Sequence, residues 1–168
     1  MYKVKFLDGT VKEFKTLVSA NLSYADLSGA NLRGANLLGA NLSSVNLRDA
    51  NLRDAKIRCA DLSCANLSCA DLSLANLSHA NLSQANLSQS NLSQAKLRDA
   101  GLRYCTGNDN EVKSIQTGIY KAVIYKDVLS IGCQQHTFKE WADFNDSTIK
   151  EMDKNAYKFY TSKHMEYF

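Results

Sequence analysis

Residues 20–104 are seventeen five-residue units joined without an insertion, and a fixed short period restricts the fold more than any other property of this chain. The third residue is Leu in every unit but one, where it is Ile57, and the first is Ala except at Val45 and Ser90. The second is mostly Asn or Asp, with Lys56, Lys96 and Gly101 as departures, and the fourth is mostly Ser or Arg. Apolar residues therefore recur at steps of two and three, which fits neither the helical period of about 3.6 nor the strand period of about 2. A chain that turns a corner every five residues resolves the conflict: Leu and Ala point inward and the other three positions face water. The first position must be small, because the sides of a narrow coil converge on one axis and a larger residue would overpack it. One coil alone buries its Leu poorly, so stacked neighbours supply the core.

The Ala-(Asp/Asn)-Leu-X-X unit resembles the pentapeptide-repeat family, over about half of the chain. The resemblance implies an all-β right-handed quadrilateral β-helix with four repeats per coil, so that residues twenty apart stack in register. At a strand spacing of about 4.8 Å, about four coils give a rod roughly 20 Å long. Some members of the family mimic DNA with ladders of carboxylates and bind type II topoisomerases such as gyrase. This chain departs from that pattern. Its repeats carry six acids against eight bases, which does not imitate a duplex with about one negative charge per 1.7 Å, and no long loop interrupts them.

Ahead of the repeats, Tyr2, Val4 and Phe6 alternate with Lys3 and Lys5, and Asp8-Gly9 suits a tight turn. Residues 1–19 are therefore expected to form a β-hairpin cap over an otherwise open strand edge, with Leu17 beginning the first coil. No apolar run is long enough to span a membrane, and residues 1–17 lack the continuous apolar stretch of a signal peptide. Five cysteines without framework spacing point to the reducing cytoplasm. A net charge of +3 selects no partner.

A twenty-residue coil places Lys56 and Arg58 on one face with Lys96 and Arg98, separated by Asn76, Ser78 and His79. These four cations form a candidate anion-binding face. Asp99 shares it, and no aromatic residue is interleaved for base stacking, which argues against nucleic acid and for a solvated surface. Cys59, Cys64 and Cys69 fall on successive corners, so they diverge instead of converging on a zinc ion.

After residue 104 the period stops, and residues 105–110 read as a turn that ends the solenoid. Residues 107–168 are expected to form a small α+β module. Residues 112–116, 119–125 and 128–133 read as three strands, Thr137 with Glu140 reads as a capping box opening a short helix, and Asp146 as the cap of a longer one carrying Ile149, Met152, Ala156 and Phe159. Cys133 and His136 would lie at a strand end before the first helix, where an imidazole and a helix amino terminus activate a thiol. A zinc site there would have to recruit Cys105 and His164. Tyr157, Tyr160, His164 and Phe168 form a second helical stripe, a candidate protein interface and homodimer contact. The pattern of Gly132, Cys133, His136, Trp141, Phe144 and Met152 resembles small modules of bacteriophage-encoded proteins.

The leading functional expectation is a non-enzymatic protein-binding scaffold without cofactor or metal, in which a rigid solenoid carries an interaction module, acting on a host protein if phage-encoded. The alternatives are a topoisomerase or nucleic-acid effector acting through the rod, and a cysteine enzyme using Cys133 and His136.

Overall fold

The computed structural model describes residues 1–117, 120–125, 128–131, 134–137 and 139. Parallel bridges link second-position residues twenty apart, from Asn21–Asn41 through Asn46–Asn66 to Asn86–Thr106. Four units thus complete one coil. Within the ladder each unit is tied to its neighbours along the axis: Asn66 N–H donates to the Val45 carbonyl at 2.9 Å and Leu67 N–H to the Asn86 carbonyl at 2.8 Å. Central Leu side chains such as Leu62, Leu67 and Leu72, and their Ala companions, are fully buried.

The corner has a specific backbone. In all seventeen units the fifth residue is left-handed, with φ between 55° and 65°, and the N–H after it returns to the Leu carbonyl, as from Ala65 to Leu62 at 3.0 Å. This is the type II pattern, with positive φ at the third position of the turn. Only Gly29, Gly34 and Gly39 meet it with glycine; Cys, Gln, His, Asp, Leu, Ser and Tyr adopt it elsewhere, at about 1 kcal/mol each.

The second position completes the corner. Its Asn or Asp Oδ1 accepts the N–H two residues on, as from Ser43 to Asn41 at 3.0 Å and from Ser88 to Asn86 at 3.0 Å. This side-chain turn explains why Asn and Asp dominate there. Fourth-position side chains are less exposed than the two-and-three spacing suggests. Ser73 is buried, its hydroxyl accepting from Arg53 Nη1 at 3.3 Å.

The coil backbone runs one unit past the last recognisable repeat at each end. Leu17 is buried in a Leu slot and Ser19 is left-handed. At the other end Cys105 is buried in the Ala slot, Thr106 still bridges Asn86, and Asp109 is left-handed with φ 65°. Residues 105–109 are therefore another turn of the repeat, not a simple stop, with Gly107 standing where Leu belongs. Burial of Cys105 also removes it from any surface zinc site.

Strands β1 (Tyr2–Phe6) and β2 (Val11–Phe14) form an antiparallel hairpin, and β1 also pairs with β3 (Ala25–Asp26) of the first coil, in the order β2-β1-β3. Among the described residues only that side of the coil gains a strand, and Leu27 at its end and Leu32 on the next side remain half-buried.

After the solenoid, β4 (Val112–Thr117), β5 (Tyr120–Tyr125), β6 (Val128–Ile131) and β7 (Gln134–Thr137) make an antiparallel meander in sequential order. The sheet has four strands where three are expected. Gln134-Gln135-His136-Thr137 lacks apolar alternation, yet it pairs with β6, with Leu129 opposite His136. His136 therefore sits inside a strand and not at a strand end, and Thr137 is the last residue of β7. Cys133 and the expected helices, apart from Lys139, lie outside the described residues.

Among the described residues one buried hydroxyl is left unsatisfied. Ser90 replaces Ala at a first position, is 4 % exposed, and its hydroxyl has no hydrogen-bond partner. Ser90→Ala is expected to raise stability by about 1 to 2 kcal/mol, because an unsatisfied buried hydroxyl is removed and the slot already fits Ala. Chemical denaturation checks it; an unchanged midpoint would mean that the hydroxyl is satisfied.

Candidate functional site

The four expected cations are brought together. Asn36, Lys56, Asn76 and Lys96 are successive members of one bridged column, which sets Lys56 and Lys96 about 10 Å apart. Arg58 and Arg98 lie two residues on, with Ser78 between them in the ladder, and all four cations are exposed. They are not equivalent. Arg98 Nε donates to Asp99 Oδ2 at 3.2 Å, and His79 Nδ1 lies 3.7 Å from the same oxygen. Lys56, Arg58 and Lys96 have no ion pair among the described residues.

Lys56 and Lys96 carry a further signal that charge counting misses. At the same position on neighbouring sides, Asn51 accepts from Arg53 N–H at 3.1 Å and Asn91 from Ser93 N–H at 3.1 Å. A lysine has no acceptor, so the turns at Arg58 and Arg98 lose this bond. The repeat gives up a local stabilising interaction for a positive charge twice in one column, a departure from a local rule of the kind expected at functional or strained sites.

Acidic second positions behave differently. Hydrogen bonds from the Ser28 hydroxyl at 2.8 Å and its N–H hold the Asp26 carboxyl below its ordinary 3.8. At Asp71 burial opposes ionisation, but the bonds from Ser73 and the charge of Arg53 outweigh it and lower the carboxyl likewise. Because both groups release protons more readily when folded, their stabilisation is complete above pH 3.8 and is lost as pH falls through the lowered folded values. The Asp26→Asn/Asp71→Asn variant keeps the turn acceptors and is expected to flatten this acid limb in urea melts recorded against pH.

Cys59, Cys64 and Cys69 are exposed thiols at left-handed corners, with Cys64 Sγ 3.6 Å from Gln84 Oε1 and Cys69 Sγ 3.3 Å from Gln89 Oε1. Among the described residues no group of His, Cys, Asp and Glu is arranged to hold a metal ion, and no helix is long and apolar enough to cross a membrane. The interface stripe of Tyr157, Tyr160, His164 and Phe168 lies outside the described residues.

A second site was not anticipated. Between the hairpin and the first coil lies a groove of about 540 Å³, lined by Phe6, Leu7, Lys12 and Phe14 on one side and Asn21 and Tyr24 on the other. Leu7 and Tyr24 are 58 % and 61 % exposed. The alternation of Tyr2, Val4 and Phe6 is legible in the sequence, but the opposing wall requires knowing where β1 docks.

Twenty-residue coils with four left-handed corners define a quadrilateral solenoid. The chain belongs to the pentapeptide repeat family, whose model matches in eight copies over residues 20–58, 35–73, 57–78 and 75–106, and whose members fold as right-handed quadrilateral β-helices. A pentapeptide repeat protein, Rfr23, from the cyanobacterium Cyanothece 51142 is 31 % identical over 62 % of this chain and 78 % of that one, with a TM-score of 0.54. Another, from Nostoc Pcc 7120, is 41 % identical over 51 % of this chain and 74 % of that one, with a TM-score of 0.45. No curated protein is significantly similar to this chain.

Proposed function

We infer that the protein is a non-enzymatic scaffold that binds another protein, the solenoid holding recognition groups at fixed spacing. The observation that carries this reading is the column in which Lys56 and Lys96 replace a turn-forming Asn. With Arg98 held by Asp99 and no aromatic side chain between the lysines, the face suits carboxylates of a protein better than a run of phosphates and bases. In this reading residues 1–19 cap the rod, residues 20–106 with the added turn to Asp109 form it, and the rest of residues 107–168 is an α+β interaction module whose stripe of Tyr157, Tyr160, His164 and Phe168 adds a second surface and a dimer contact. The sequence pattern from Gly132 to Met152 supports a phage-encoded protein acting on a host factor. Exposed, unpaired Cys59, Cys64 and Cys69 suit a reducing cytoplasm.

The test is affinity capture from bacterial lysate with the full-length protein, Lys56→Asn/Lys96→Asn, and Tyr160→Ala/His164→Ala, read by mass spectrometry. Each lysine replacement restores a turn acceptor and is expected to add about 0.5 to 1 kcal/mol of stability, so a partner lost with this variant is not lost through unfolding. A partner retained by both variants removes both surfaces from the reading. A turnover abolished by Cys133→Ala in a folded protein would end its non-enzymatic part.

A further inference from the structure

We propose that the groove beside the amino-terminal hairpin docks an extended acidic segment of another protein, which adds as a strand to the open edge of β2. This rests on the protein-binding reading and assigns it a site and a partner chemistry. In the sheet order β2-β1-β3, the outer edge of β2 has no partner among the described residues. An unpaired edge is a template for a further strand, main-chain bonds supplying affinity and alternate side chains supplying specificity.

The pairing register says what those side chains meet. Tyr2 lies opposite Phe14 and Val4 opposite Lys12, so Phe14 and Lys12 share one face of the hairpin with Val4 and Phe6. That face looks into the groove toward Tyr24. Lys12 Nζ lies 4.7 Å from the Phe6 ring centroid, and Lys12 and Lys15 have no ion pair among the described residues. A strand laid along β2 places alternate residues against Lys12 and Phe14, which asks for a carboxylate and an aromatic or aliphatic side chain two residues apart. On the opposite face it meets Val11, 60 % exposed.

Nearby acids do not cancel this preference. The Asp8 carboxylate lines the groove but already accepts from Thr10 N–H at 2.9 Å and from its hydroxyl at 2.7 Å. Glu13 lies on the other face and pairs with Lys3 at 3.5 Å. Residues 1–19 hold four lysines against two acids, so a second copy of this end would meet like charge. An acidic partner is favoured instead.

The experiment titrates full-length protein against the fluorescently labelled peptide acetyl-Thr-Glu-Val-Phe-Val-Glu-Thr-amide, which presents its carboxylates and its ring on one face in either direction. Saturable binding is expected, with new amide protection from hydrogen exchange confined to residues 11–14. Binding should weaken about tenfold or more when the peptide glutamates become lysines, or in Lys12→Glu. Tyr24→Gly, which suits the left-handed φ of 60°, should weaken it while leaving the thermal melt unharmed. Absence of saturation, equal binding of the lysine peptide, or protection at residues 56–58 and 96–98 would overturn the proposal. So would concentration-dependent dimerisation that protects residues 11–14 without peptide, because a second copy would then be the occupant. A lysate partner kept by Lys12→Glu and Tyr24→Gly but lost with Lys56→Asn/Lys96→Asn would sink the groove and leave the scaffold standing.

Discussion

Leu67→Ala is expected to destabilise the protein by about 3 to 4 kcal/mol, measured as the shift of the urea midpoint at constant slope. Leu67 is fully buried, and the Asn46–Asn66 and Asn66–Asn86 bridges hold the coils on either side of it in register. Truncation opens a cavity in an interior that cannot close. The walls are backbone, tied every five residues by bonds such as Leu67 N–H to the Asn86 carbonyl at 2.8 Å, and moving one wall would break the ladder above and below. The same truncation at Leu27, half-buried at the open edge of the first coil, should cost only about 1 kcal/mol, because water already reaches the site. Equal costs at the two positions would mean that the interior relaxes as a loose core does, and that the rod is not rigid enough to hold recognition groups at fixed spacing.

The inward pair of Leu and Ala was legible because their spacing admits one geometry, and twenty-residue stacking then put Lys56, Arg58, Lys96 and Arg98 on one face without coordinates. The turn chemistry was less visible. Asn and Asp at the second position could be read as solvent-facing groups, and only the bonds to residues such as Ser43 and Ser88 show that they form the corner. The left-handed fifth position left almost no trace, since Cys64, Leu74 and Gln84 adopt it under tertiary constraint and glycine, the usual signal, is mostly missing. Strand β7 was missed because its side chains are polar and lack apolar alternation, although all four of its residues pair with β6. The groove at Phe6, Phe14 and Tyr24 joins residues from two units whose docking no local pattern encodes.

The far end of the rod should be the other sensitive point. Asn108→Ala is expected to cost about 2 to 4 kcal/mol, although a substitution in an apparent turn would ordinarily be harmless. Where a further Leu would fill the last coil, Gly107 leaves no side chain, and the buried amide of Asn108 ties the coil to the following sheet. Its Nδ2 donates to the Ser90 carbonyl at 3.0 Å and to Glu111 Oε2 at 2.6 Å, and its Oδ1 accepts from Val112 N–H at 3.0 Å. Alanine leaves the Ser90 carbonyl and the Val112 N–H without these partners in a buried setting. Asp at this position keeps the acceptor for Val112 but loses both donated bonds and faces Glu111, so it should do no better than Ala. Hydrogen exchange separates this role from simple surface tolerance. In Asn108→Ala the amides of residues 112–117 and 86–91 should lose protection while those of residues 41–60 keep it, because each coil contacts only its neighbours. Uniform loss along the rod would instead mean that the solenoid and the β4–β7 sheet unfold as one cooperative unit. Unchanged protection would show that the sheet holds itself to the last coil without this amide.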